Sequence, residues 1–440
     1  MSKNTVRKIF TADGNFTAPA GVKSVKVSLL RSYKSLGMSG TSIAVLNDGR
    51  AVAWGAAGDG QLGDGTQVAK SLPTVVTGSF PFLEVESGAA FAAGIQSDHR
   101  LYAWGFNGSG QLGDGGVASH STPAIIASTG KFRGLACGAN SLYGLQCNGD
   151  IYSMGFNNNG QLGDNTNVDK STPTLVTAAV KFKAVAAGTS AVIALATNGS
   201  VYSWGRNVKG SLGDGTTVGK STPTLVVGGL TVKEIAMGDD FCIALTEGGD
   251  AYCWGNNNRG QLGDNSVAAK SSPVLVVGGL KFVKVAAALE SAYGLTEAGD
   301  LYAWGLNSQG QLGDGTVGTS RSSPVLVVGG LKFKDVVGSG SGYAEGAAMA
   351  MTFDGDLYAW GNNAGGVLGD NTNVSKSSPI LVQAGGLYRA VGEVVVNTLN
   401  VAVTPGTSYA VSLFAQMAKF GTEVLGASSG RVRMLVEYQA

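Results

Sequence analysis

The sequence predicts an all-β fold: a seven-bladed β-propeller inserted into a small β-sandwich-like domain formed by the N- and C-terminal segments. Three observations predict it. One unit of about fifty residues recurs seven times. Each copy holds short β-rich segments divided by glycine turns, and no stretch sustains a helical period. The two chain ends alternate apolar and polar residues without fitting the repeat.

The repeat is anchored on a Trp-Gly pair at Trp54, Trp104, Trp204, Trp254, Trp304 and Trp360, with Met154 standing in the third copy. Ten residues after each anchor comes the aspartate of an LGD triplet, at Asp64, Asp114, Asp164, Asp214, Asp264, Asp314 and Asp370. A proline follows nine residues later in most copies, as at Pro73 and Pro173. In the fifth copy, LTVKEIAMGDDFCIALTEGGDAYCWG reads as two β-rich segments around the turn Gly248-Gly249. A Gly/Asn-rich connection then leads to SSPVLVV, a short strand entered through proline. Four short strands in each of seven copies fit a propeller, whose radial closure leaves only protected strand edges.

The segment AxGxxxxxALTxxGxxYxWGxNxxGQLGDGT, seen best at 187–216 and 236–266, resembles the repeat of the regulator of chromosome condensation family. The resemblance spans 33–392 and implies a seven-bladed propeller. That family usually carries histidine shortly after the AxG, where this chain reads FAAGI, SLYGL, VIAL, FCIAL and AYGL. Any role of such a histidine is lost here.

The ends carry a second resemblance. Phe16–Val27, Val403–Leu413 and Gly430–Tyr438 resemble three pieces of a small β-domain common near the ends of bacteriophage tail-fibre and tail-tip proteins. It implies a domain split into residues 1–32 and 393–440, with the propeller at 33–392 in place of a glycine-rich middle. Insertion at a loop tip is cheap because both ends of the insert leave side by side. The first copy begins weakly with SYKSLGMSGTSIAVLNDG, so the two ends of the propeller are expected to meet in one blade.

Composition limits the function. A net charge of +1 with 14% charged residues gives no electrostatic case for nucleic acid. No apolar run reaches membrane-spanning length, and MSKNTVRKIF lacks the apolar core of a signal peptide. Cys137, Cys147, Cys242 and Cys253 lack metal-ligand spacing and read as buried free thiols, with a strained pair across a hairpin as the alternative.

Candidate site residues fall into three sets. Two residues after the anchor the copies diverge, giving Phe106, Phe156, Arg206, Asn256 and Leu306 as a recognition set on an exposed loop. Asp239, Asp240 and Glu290 are the only charges in loops that otherwise read GAAF, GANS and GTSA. Just before the proline strand stands a basic ring of Lys70, His120, Lys170, Lys220, Lys270, Arg321 and Lys376. That ring is either a rosette for an anionic glycan or phosphate, or one half of exposed Asp–Lys pairs, which the one-to-one stoichiometry favours. The LGD aspartates read as turn formers rather than calcium ligands, since each copy offers one carboxylate. The anchor tryptophans read as wedges between blades. No catalytic constellation and no cofactor motif is present, so an enzyme is not expected.

These readings lead to a non-enzymatic virion protein, a homo-oligomeric tail-fibre or tail-tip component. Its propeller would bind a host surface glycan or protein, or another tail protein, by multivalent contact. The alternative is a soluble protein-binding propeller, acting as an exchange factor for a GTPase or as an enzyme inhibitor.

Overall fold

The computed structural model describes residues 35–383 with their side chains, apart from 47, 79–80, 127–129 and 340–345. It also describes the backbone of strands within 5–34 and 399–439.

Seven consecutive four-stranded antiparallel sheets form the blades. Blade 1 comprises Tyr33–Met38, Thr41–Leu46, Ala51–Gly55 and Lys70–Val75. The same order repeats to blade 7, with Phe333–Gly338, Ala347–Thr352, Leu357–Gly361 and Lys376–Leu381. Within a blade each strand pairs with the next in sequence, so the connections are simple hairpins and loops.

Strand position follows composition. The second strand is buried on both faces between neighbouring blades, as in AVIALA at Ala191–Ala196, and so reads as a continuous apolar run. The fourth strand, KSTPTL at Lys220–Leu225, is half-exposed and carries Pro223. Proline without its N–H suits an outer edge strand. The strand starts three residues before the proline rather than at it, because Lys220 already pairs with Gly205. First strands of successive blades neighbour one another and line a central channel.

The Trp-Gly glycine is required. Gly205 sits at φ +101°, and an added Cβ would lie 2.5 Å from the Ser190 carbonyl oxygen.

Ring closure differs from the expectation that both propeller ends share a blade. Tyr33–Met38 already supplies the innermost strand of blade 1, so every blade is contiguous in sequence. Blade 7 closes on blade 1 by side-to-side packing of Met38, Trp54, Met349, Leu357 and Val367. Trp54 Nε1 donates to the Val367 carbonyl at 2.7 Å, and Ser42 Oγ donates to the same oxygen at 2.8 Å.

The chain ends pair with each other. One four-stranded sheet runs in the order Thr5–Phe10, Arg433–Gln439, Ser24–Leu30, Leu399–Ala402. A two-stranded sheet joins Gly14–Thr17 to Ser408–Val411, with Phe16 opposite Tyr409. The boundary expected at 392/393 and the core of the Gly/Ser-rich stretch GSGSGYAEGA lie outside the described residues.

All four cysteines are free. Cys242 pairs with Trp254 and Cys253 with Ile243, so the two thiols leave opposite faces of their hairpin. Cys147 is exposed, unlike the buried thiol expected there.

Candidate partner-binding face

One end of the propeller gathers all three sets of candidate residues. In blade 4 the Arg206 N–H donates to the Ser190 carbonyl, and in blade 5 the Asn256 N–H donates to that of Asp240. The loop after the anchor and the loop after the first strand are therefore tied together on one face. Bonds from Ala89 N–H to the Ala139 carbonyl and from Asp239 N–H to the Leu289 carbonyl link inner loops of adjacent blades.

Phe106, Phe156, Arg206 and Leu306 are half-buried, and Asn256 is buried, so this set presents less surface than an exposed loop would. Arg206 Nη1 reaches Asp240 Oδ2 of the next blade at 3.3 Å, and Arg259 Nε reaches Glu290 Oε2 at 3.7 Å. Burial first, and the neighbouring Asp239 carboxylate second, push the Asp240 carboxyl group up, with Arg206 opposing. The ion pairs that tie these loops across blade boundaries thus lie in blades 4 to 6.

The most solvent-facing positions are two and three residues further along, which the sequence reading did not select. Val208 is 59% exposed, and Asn158, Asn159, Lys209, Asn258 and Arg259 are exposed as well. Asn157 O accepts the Gly160 N–H at 2.8 Å, so Asn-x-x-Gly is a tight turn with its corner residues outward. That spacing was the available signal.

The buried turn asparagine organises the loop behind these corners. Asn257 Nδ2 donates to Asp264 Oδ1 and to the Ser266 and Ala268 carbonyls at 3.1–3.2 Å. Its Oδ1 accepts the Leu262 N–H at 3.0 Å. Each LGD aspartate also accepts from the residue two positions on, as Asp164 does from Thr166 N–H and Oγ1 at 3.0 and 2.7 Å. Its oxygens face donors within the loop, which suits a turn former.

The basic ring sits at the outer rim of the same face and is largely charge-paired. His120, Lys170, Lys270, Arg321 and Lys376 lie 2.7–4.0 Å from Asp114, Asp164, Asp264, Asp314 and Asp370. Lys220 acts electrostatically on Asp214, and Lys70 occupies the same half-buried position in blade 1. Burial alone would raise these carboxyl groups. Hydrogen bonds from Thr166, Thr216, Thr316 and Thr372 outweigh it and hold Asp164, Asp214, Asp314 and Asp370 below the usual range. Between the pairs stands an apolar ring of Val68, Val117, Val168, Val218, Val267, Val317 and Val374, each 59–65% exposed.

The anchor tryptophans are buried completely and bridge blades. Trp104, Trp204, Trp254, Trp304 and Trp360 donate through Nε1 to carbonyls of the preceding blade, at Gln61, Gln161, Ser211, Gln261 and Gln311, over 2.8–3.0 Å.

The channel holds charges that the sequence reading did not single out. Alternate residues of the first strands bring in Glu84, Glu86, Glu234, Lys284 and Asp335. Three inner positions clamp the next blade: Ser35 Oγ accepts the Val85 N–H at 3.2 Å, and Glu84 and Glu234 accept the Leu135 and Val285 N–H groups. Lys284 pairs with Asp335.

The family model described as RCC1-like domain matches residues 122–426, and the regulator of chromosome condensation (RCC1) repeat matches 48–95 and 98–143. No curated protein matches the chain. Among solved structures, human WBSCR16 is 22% identical, covering 76% of this chain and 94% of its own, with a TM-score of 0.69. Prp20p from Saccharomyces cerevisiae is 20% identical, with coverages of 84% and 88% and a TM-score of 0.66. A structure of Kap60 bound to yeast RCC1 (Prp20) gives 18%, with coverages of 96% and 90% and a TM-score of 0.66. At these identities the likeness is one of fold.

Proposed function

The chain belongs to the RCC1-like domain family, and on that premise we propose that it is a non-enzymatic, protein-binding propeller whose loop face engages a partner protein. The observation that carries this reading is the asymmetry of that face. Blades 4 to 6 present Arg206, Lys209, Asp239, Arg259 and Glu290, some of them paired across blade boundaries. Blades 2 and 3 present the half-buried aromatic rings of Phe106 and Phe156. Charged groups of both signs beside aromatic anchors suit a protein surface, where charge sets orientation and rate and rings supply affinity. A single-sign field, as nucleic acid requires, is missing at a net charge of +1. The structures of fold-similar relatives are described with protein partners: Gsp1p and histones for Prp20p, and Kap60 for yeast RCC1. For this chain those names supply a ligand class only.

A second reading rests on a separate observation, the pairing of the two chain ends in shared sheets. In it the two terminal sheets pack as a sandwich that tethers a homo-oligomeric tail protein, and the same face binds a host surface glycan or protein.

The test compares the full chain with a loop-face variant, Val208→Asp/Lys209→Glu/Arg259→Glu, and with a control, Glu247→Lys/Glu297→Lys, on exposed turns at the opposite end. Affinity capture from the producing cells, quantified against both variants, is expected to yield a protein lost only with the loop-face changes. Capture of tail proteins or of surface glycan in that pattern supports the second reading. Partners retained by the loop-face variant sink both.

A further inference from the structure

We propose that the central channel binds an organic ammonium cation, anchored on the carboxylate of Glu86. The proposal is independent of what the loop face engages. The first strands wall a cavity of about 200 Å³ that includes Glu86 and Lys284. Most of its other lining is small or apolar, including Gly37, Ala136, Ala186, Ala236 and Ala286. Small residues on five blades are what keep the space open.

Most of the charges around it are committed. Glu84 and Glu234 clamp backbone N–H groups of the next blade, and Asp335 pairs with Lys284 and accepts the Val336 N–H. Glu86 differs. The groups acting on it are Glu84, on its own strand, and Lys284 across the channel, and neither bonds to it. From the adjacent blade 3, the buried thiol of Cys137 faces the same pair of glutamates. Protein encloses Glu86 on every side but the channel, through which water reaches it. A carboxylate in that position has no bonded counter-charge, since Lys284, which acts on it across the cavity, is paired with Asp335.

An ammonium group fits the vacancy in charge better than a metal ion does. Among the described residues no three His, Cys, Asp or Glu side chains are placed to share a metal. One carboxylate, aliphatic walls and the more distant negative potential of Glu84 instead suit an alkyl diamine, one amine on Glu86 and its methylenes along the alanines. Burial, with the Glu84 charge adding to it, pushes the Glu86 carboxyl group up to about 8. An empty channel therefore holds Glu86 protonated at neutral pH, and a bound ammonium favours the ionised form. Binding then releases a proton and strengthens as pH rises toward 8.

Putrescine is a direct probe on the full chain. Isothermal calorimetry at pH 6, 7, 8 and 9, at constant ionic strength, is expected to give one saturable site. Its affinity should rise about tenfold per pH unit up to 8 and level beyond. Butane-1,4-diol, of the same length without charge, is expected not to bind. Glu86→Gln removes both the site and the pH dependence. Ala186→Leu narrows the channel without touching a carboxylate and abolishes binding too, which decides the matter if Glu86→Gln does not fold. No saturable binding at any pH, equal binding of the diol, or unchanged affinity in either folded variant overturns the proposal.

Discussion

Trp304 fills the wedge between blades 5 and 6 and donates its indole N–H to the Gln261 carbonyl at 3.0 Å. Bulk and hydrogen bond are separable. Trp304→Phe keeps an aromatic ring but orphans a buried acceptor, which costs about 1–3 kcal/mol. The expected result is a lower urea midpoint with an unchanged slope, since the change alters stability rather than the surface exposed on unfolding. A midpoint within error of the parent would show the hydrogen bond to be dispensable. Blade 3 makes the same point from the other side: Met154 occupies the wedge at 0% exposure and has no N–H to donate. That substitution is also why the anchor position reads as a packing position in the sequence.

The loop from anchor to proline strand is held by one asparagine side chain in every copy but the first. Asn257 is fully buried, and four acceptors and one N–H depend on it. Asn257→Ala is expected to destabilise the protein by about 3 kcal/mol, the sum of more than one orphaned group. Amide exchange should accelerate first at Leu262, which loses its acceptor. Blade 1 carries Ala57 at this position, so a single missing lock is compatible with the ring, and the variant should fold. If Leu262 exchanges as before, the loop is held by its aspartate turn instead. At this scale the sequence was readable where residues repeat: the hairpin at Gly248-Gly249, the Asp–Lys bracket and the Trp wedge all follow from recurring spacing. It was opaque where the role depends on neighbours far along the chain. Asn256 was read as exposed and is buried, its Oδ1 turned back to accept the Asn258 N–H at 3.4 Å. The channel charges gave no pattern, because only closure of the ring brings Glu86 of blade 2 opposite Lys284 of blade 6.

For the whole molecule, closure without a shared strand leaves the joint between blades 7 and 1 to packed side chains, two donors on the Val367 carbonyl, and the bond from the Asn371 N–H to the Ser71 carbonyl. Everything inside the ring therefore bears on stability, and pH is the way to probe it. Two groups of carboxyls act with opposite sign. Asp164, Asp214, Asp314 and Asp370 are depressed in the folded state. Their contribution is complete above the unfolded value near 4 and is lost as pH falls below it. Glu84 and Glu86 are raised by burial, to about 7 and about 8 from an ordinary 4.5. Between those values the folded chain holds protons that the unfolded chain has released, so stability declines from about pH 4.5 to 8 and then levels. Glu86→Gln mimics the protonated carboxyl without titrating, so it should match the parent near pH 5. At pH 8.5 it should exceed the parent by on the order of a few kcal/mol. Melting temperatures measured across pH 4 to 9 in amine-free buffer read this as two curves that start together and separate upward from about pH 5. Parallel curves would mean that Glu86 finds a partner or water enough to ionise freely in the folded channel.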